Sequence, residues 1–402
     1  MDCLQLRFCR MKNYDVIFIG GSLMASSTAY SLLNMKPDLK ILMIEKDPTY
    51  KYAATPLALG GVRQQFSERT NIRMAKASID TFENFGELME TKTFGKPDID
   101  LRQGGYLFLL GEAGWSVAKE NAQVQKEEGV DIRLLSVSDI QSMLPETDLT
   151  DVVGGTVCPR EGVLDPASVL TGYLHKVKEM GVEVINDEVT DIKMNGDKIV
   201  SVSCKSGEEF SAGAYVNSAG PWAKKVGDMI GVDIPVFPLS HDLYVCKMPM
   251  SANVGHSYTT LPTTTWWYRE HAEGDTLLCG KTKLDFELGF SYSPDMPYFE
   301  KEVWPDLADR MSALDNLKLI RAWRGCYEYN NIDFNAIIGK HPDVPNFYLI
   351  NGFSGHGMMQ APAAGRGLAE YILDDEYRTI DLSAMNIKRF RENKLIVEKA
   401  II

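Results

Sequence analysis

The chain has no paired-cysteine motif. Its seven cysteines, Cys3, Cys9, Cys158, Cys204, Cys246, Cys279 and Cys326, are scattered with no C-x-x-C spacing. That argues against a zinc or dithiol site and suits a reducing compartment. The six histidines are dispersed and form no H-E-x-x-H arrangement, so no metal is expected. The formal charge is −13 and no Lys/Arg cluster interrupts it, so nucleic acid is not an expected partner. No apolar run approaches the roughly 18 residues that a transmembrane helix needs. Met1 to Lys12 is too short and too weakly apolar for a secretory signal. Its two arginines imitate the end of a transit peptide; the plainer readings are an untidy tail or a start at Met11. Ala400-Ile401-Ile402 carries no address signal. The expected location is the cytoplasm, or the mitochondrial matrix in a eukaryote. Internal repeats and low-complexity tracts are also lacking.

What is present is a globular composition. With 402 residues, 45% of them hydrophobic, the chain is long enough for two domains. Helical periodicity covers residues 69–91 and 114–128, and Asp165-Pro166 opens an amphipathic helix over 167–181. Strand patterns cover 104–109, 182–185 and 199–202, and 233–300 is rich in strands and loops. A helical pattern returns at 363–374. The expected division is a discontinuous nucleotide-binding domain over 12–98, 152–232 and 322–402, with a substrate domain over 99–151 and 233–321.

Residues 14–45 have the order of a βαβ dinucleotide unit. Tyr14 to Ile19 reads as a strand, Gly20-Gly21-Ser22-Leu23-Met24-Ala25 as a turn, Ser26 to Asn34 as a helix, and Ile41 to Ile44 as a second strand ended by Glu45. A sharp turn lets amides face a pyrophosphate at a helix N-terminus. Glu45 can accept hydrogen bonds from both ribose hydroxyls and disfavours a 2′-phosphate. Lys46 follows it. The glycine fingerprint departs from G-x-G-x-x-G, with Gly20, Ser22 and Ala25 in its slots. A βαβ unit that binds no nucleotide reads the same way.

Two further segments approach a ligand through small residues. Val216 to Ala223 runs from a strand into Ala219, Gly220 and Trp222. Phe347 to Ile350 is a strand; Gly352-Phe353-Ser354-Gly355-His356-Gly357-Met358-Met359-Gln360 follows, and a helix is expected from about Ala361-Pro362. His356 is the titratable group of that turn, with packing or capping as its plainer role.

These three segments, with Gly60 to Ser67, Tyr329-Asn330 and Asp333-x-Asn335, resemble the D-amino-acid oxidase/sarcosine oxidase superfamily of FAD-dependent amine oxidoreductases. Within it they resemble the FAD-dependent oxidoreductase domain-containing protein 1 group, which is linked to complex I assembly. The resemblance runs from Tyr14 to the last helix. It implies an α+β fold of the p-hydroxybenzoate-hydroxylase-like architecture, with an α/β Rossmann-like FAD domain and a β-rich substrate domain. It implies FAD rather than NAD, and hydride transfer from an amine C–H to flavin N5, giving an imine that hydrolyses. By resemblance Gly20, Gly21, Ser22 and Ala25 would face the pyrophosphate, and Glu45 the ribose. Gly60 and Gly61 would pass the flavin ring, and Gly355, His356, Gly357, Met358 and Met359 its pyrimidine end.

The same resemblance makes Cys326, seven positions before Asp333, a candidate covalent FAD ligand. A small buried cysteine is the alternative. Sarcosine oxidases place a carboxylate-binding lysine where this chain has Met359, so Arg63 and Arg269 become the candidate cations. Either Lys281 or Lys283 would lie over the flavin, unless both are solvent-exposed. Trp266, Trp267, Tyr268, Tyr327 and Tyr329 are candidates for an amine pocket or for core, and Glu328 is a candidate amine anchor if it points inward. The expected partners are a small amine and either oxygen or an electron-transfer protein, with a homo- or hetero-oligomer possible. The alternatives to an amine oxidoreductase acting alone are a flavoprotein assembly factor for a respiratory complex and the flavin subunit of a heteromeric amine dehydrogenase.

Overall fold

The computed structural model describes residues 12–283 and 287–399. The readings of the two termini, with Cys3 and Cys9, lie outside them. Among the described residues the strands form two eight-stranded sheets and one two-stranded pair.

The first sheet is built on Lys12–Ile19, whose Ile17 and Phe18 are fully buried. Burying side chains of that size contributes about 1.5–3 kcal/mol each. Val344–Asn351, Glu209–Asn217, Lys12–Ile19, Ile41–Glu45 and Glu183–Asn186 lie parallel in that order. Ile337–His341 adds an antiparallel edge, and the meander Val189–Asn195, Lys198–Cys204 extends from Glu209–Asn217. Apolar residues run continuously along the central strands because both faces are covered. The helices Leu23–Met35 and Gly357–Asp374 cross closely on one face. A Cβ at Gly365 would lie 2.5 Å from Ser27 Oγ.

The second sheet runs Lys318–Asn330, Val236–Lys247, Thr276–Lys281, Thr265–Arg269, Tyr258–Thr260, Tyr106–Leu110, Gly154–Cys158, Arg133–Leu135. One face packs on the helical segment around Phe299, Val303 and Leu307, together with Tyr244, Trp267 and Cys279. The other carries Tyr106, Leu243, Tyr258, Trp266 and Tyr268. The α+β class follows directly from these two sheets. Hydrogen bonding puts residues 154–158 and 322–330 in the second sheet, whereas the sequence division assigns them to the nucleotide domain.

Element boundaries move by a few residues. The 69–91 pattern breaks at Asn84 into helices Arg69–Glu83 and Phe85–Leu88. The C-terminal helix starts at Gly357, not near Ala361, and encloses Pro362. Three closely spaced glycines read as a loop, but Gly357 is taken into the first turn.

Candidate active site

Two adjoining cavities lie between the sheets and share Ala54, Ala58, Tyr327, Gly355 and Met358. The first includes the turn after Lys12–Ile19. Gly20 has φ +97°, and a Cβ there would meet Ser218 O at 2.7 Å. Only glycine combines that backbone with that approach. Ser22 caps the helix without a side-chain hydrogen bond, and the first turn carries no acid. Its free amides and helix dipole therefore suit a pyrophosphate.

Glu45 closes the far side of the turn. Its Oε2 accepts from the Gly21 amide at 2.9 Å and its Oε1 from the Asp47 amide at 2.9 Å. Burial raises its pKa and those two amides oppose the rise. Lys46 Nζ lies 3.3 Å from the Trp222 ring centroid, and burial lowers its pKa. Both residues line the cavity, with Ala219 and Gly220. Two sequence assignments shift here. Ala25 packs in the helix–sheet core, fully buried, because the third fingerprint position points at the strand. Gly21 supports Glu45 and does not line the cavity.

The second cavity is lined by Gly60, Gly61, Arg63, Tyr106, Tyr258, Trp266, His356 and Met359, among others. Gly60 has φ +87°, and a Cβ there would lie 2.2 Å from Leu164 O. A Cβ on Gly61 would come within 3.1 Å of the Tyr106 ring. Opposite stands the start of helix Gly357–Asp374, capped by His356 without a side-chain bond and free of acids in its first turn. That positive helix end suits an electron-rich ring.

Arg63 is 2% exposed. Its Nη1 donates to Gln65 O at 2.5 Å and its Nη2 meets His356 Nε2 at 3.0 Å. A guanidinium only donates, so Nε2 accepts and the imidazole proton is assigned to Nδ1. Burial, with Arg63 beside it, holds the His356 pKa well below its ordinary value. Beneath Arg63, the fully buried Glu161 accepts from the Gln64 and Gln65 amides and from Gln65 Nε2. Burial pushes Glu161 up to about 8, against those bonds and Arg63. Nothing in the sequence around Glu161 signals this role.

The aromatic wall is continuous. Tyr106 and Tyr258 stack at 3.9 Å, and Tyr258 and Trp266 at 5.6 Å. Tyr268 donates to Leu59 O, fixing the sheet to the Gly60 loop. His241 Nε2 and Tyr327 OH lie 2.7 Å apart and their rings stack at 4.7 Å. Burial lowers the His241 pKa to about 4, so the imidazole is neutral. Strand alternation around Ser240 could have singled out His241; the sequence reading missed it.

Four expected site residues stand elsewhere. Arg269 shares a strand face with Trp267, turned from Trp266 and Tyr268, and its guanidinium donates to Gly274 O and Ala252 O. Lys281 pairs with Glu302 at 3.6 Å and Asp306 at 3.4 Å. Lys283 pairs with Asp295 at 2.7 Å and Asp242 at 3.5 Å. The two lysines border a third cavity, beyond His241 and Tyr327. Cys326 borders the second cavity, but its thiol meets Ser240 Oγ at 3.3 Å and donates to Ser291 O at 3.4 Å. Trp267 belongs to the core, and Tyr329 lines the third cavity. Glu328 does point inward, but toward the first cavity.

The cradle fits a dinucleotide joined to a flat ring system. Two uncapped helix starts and glycines that a Cβ would block converge on cavities that run into each other. Comparison agrees. A family model described as FAD dependent oxidoreductase (DAO) matches residues 15–371. The FAD-dependent oxidoreductase domain-containing protein 1 of Xenopus laevis is 31% identical, over 96% of this chain and 85% of that protein. Sarcosine oxidase subunit beta of Arthrobacter sp. is 24% identical, over 96% of this chain and 93% of that one. The solved L-proline dehydrogenase of P. horikoshii superposes with a TM-score of 0.85 at 24% identity, covering 96% of this chain and all of that one.

Proposed function

The chain belongs to the FAD dependent oxidoreductase family, and on that premise we propose that it oxidises a secondary or N-substituted amine, in the form of an amino acid, at the carbon beside nitrogen. The observation that carries this reading is the second cavity. It offers one buried cation–imidazole pair, Arg63 with His356, facing a wall of three stacked aromatic rings. Arg63 supplies guanidinium donors and His356 an Nδ1–H donor, a set suited to a carboxylate. The aromatic faces suit an alkylated amine. This replaces the Met359 position, which has no charge to offer, and the expected Arg269, which is engaged with carbonyls.

FAD, when bound, would supply the two-electron hydride acceptor, and the oxidised amine would be an imine open to hydrolysis. The chain's own residues bind, orient and exclude water. Neutral His241, bonded to Tyr327, lines the same cavity and would orient an amine that binds in its neutral form. Glu161 holds the 63–65 loop that presents Arg63. The division into an FAD unit and a substrate unit is part of the same proposal.

Anaerobic mixing with a panel of N-methyl and N-alkyl amino acids tests it, followed by admission of oxygen. Bleaching of the flavin absorbance by one class is expected. Reoxidation by oxygen separates an oxidase from a dehydrogenase. Firmly bound FAD that no amine bleaches would overturn the reading and favour an assembly role. Among the described residues no helix is long and apolar enough to cross a membrane.

A further inference from the structure

Glu328 is 7% exposed, and its carboxyl carries a buried oxygen that nothing satisfies. Burial raises its pKa and the nearby Gly352 and Phe353 amides oppose the rise, while Oε2 has no hydrogen-bond partner. A buried carboxyl oxygen without a donor is costly, so a donor is expected at that place when the site is filled. The side chain does not border the second cavity, where an amine would lie. It borders the first, with Phe353, Gly355, Gly357 and Met358, the cavity that Gly20, Ser22 and Glu45 also line. Gly355 and Met358 are also shared with the second cavity. Glu328 therefore stands at the junction. Gly357 adjoins it: a Cβ there would lie at ordinary contact distance, 3.6 Å, from Glu328 Oε1.

A dinucleotide that reaches from the Gly20 turn to the Gly60 loop must thread its linker through that junction. In FAD the linker is a polyol chain with hydroxyl donors. We propose that Glu328 is a cofactor-holding residue whose free carboxyl oxygen receives a hydroxyl of this polyol chain, and that it does not anchor the amine. The inference rests on the FAD reading and is independent of which amine is oxidised.

The test uses apo-protein titrated with FAD and with the three FADs that each lack one polyol hydroxyl, followed by flavin fluorescence quenching. In the wild type, one deoxy analogue should bind at least tenfold more weakly than FAD. In Glu328→Leu, FAD itself should bind at least tenfold more weakly, and that analogue should no longer be distinguished from it. Glu328→Gln keeps a carbonyl acceptor and should stay within about threefold of wild type. Circular dichroism and the unfolding midpoint establish that each variant is folded. Equal affinity of the wild type for all four flavins would overturn the proposal even if the leucine variant did not fold. So would a folded Glu328→Leu that holds FAD like wild type but needs more amine for half-maximal bleaching, which would return Glu328 to the amine. Wild-type protein that binds no FAD at all would sink the cofactor assignment itself.

Discussion

The two cavities are built in opposite ways. The first cavity, the proposed nucleotide site, is framed by three short turns: Gly20 with Ser22 to Met24, Glu45 to Asp47, and Ser218 to Trp222. Each turn follows a parallel strand, so its backbone is aimed by the sheet and its chemistry is carried by amides. The second cavity, the proposed ring site, gathers single side chains that are far apart in sequence: Tyr106, His241, Tyr258 and Trp266 from strands, Arg63 from a loop and His356 from a helix cap. There the chemistry is carried by side chains, and strand alternation decides which of the strand residues face inward. Backbone recognition tolerates side-chain change but not added bulk; side-chain recognition tolerates little exchange of chemistry.

That contrast orders the expected effects. The largest belongs to Gly60→Val. Its φ of +87° and the 2.2 Å approach to Leu164 O leave no room, so loss of folded protein or of FAD binding is expected, at ~3 kcal/mol or more. Gly20→Ala, blocked at 2.7 Å by Ser218 O, should follow closely; calorimetry and FAD titration check both. A stable, yellow Gly20→Ala would break the claim that the first cavity depends on backbone.

Arg63→Lys comes next. It keeps the charge but loses the fork that meets both Gln65 O and His356. The rate of flavin reduction per amine concentration should fall on the order of a hundredfold, ~3 kcal/mol, with FAD retained. A similar loss in Arg269→Lys would contradict its placement. That variant should alter stability by about 1 kcal/mol through its carbonyl bonds and leave reduction kinetics within about twofold.

A smaller effect concerns pH. Burial raises Glu328 to about 8 in the folded apo-protein. The folded state then holds a proton that the unfolded chain has released, so stability should fall as pH rises between the ordinary carboxyl range and about 8. Glu328→Gln should flatten that slope in denaturant titrations at several pH values. The smallest effect is Cys326→Ala. With the thiol turned to Ser240 and Ser291, flavin should leave the wild type in denaturing acid, and the variant should behave alike. Colour that stays with the acid-precipitated wild type would bring back the covalent link.

The same contrast explains what could be read from the chain. The Gly20 turn, Glu45, the Ala219–Trp222 turn and the Gly355–Met359 turn were legible because each is a local pattern with a local cause. On the strand Thr265–Arg269, Trp266 and Tyr268 face the site, while Trp267 and Arg269 do not. Composition reveals such a strand, but its register is set by hydrogen bonds to Tyr258–Thr260 and Thr276–Lys281. The same parity turned Lys281 toward Glu302 and Asp306. Glu161 was invisible because its partners, Gln64 and Gln65, lie nearly a hundred positions away.

The most direct measurement compares one N-alkyl amino acid with its carboxamide as anaerobic reductants of the bound flavin. If Arg63 and His356 receive a carboxylate beside the aromatic wall, the acid should bleach the flavin and the amide should do so at least a hundredfold more slowly, a gap that Arg63→Lys narrows. Equal rates for acid and amide in the wild type would contradict the account.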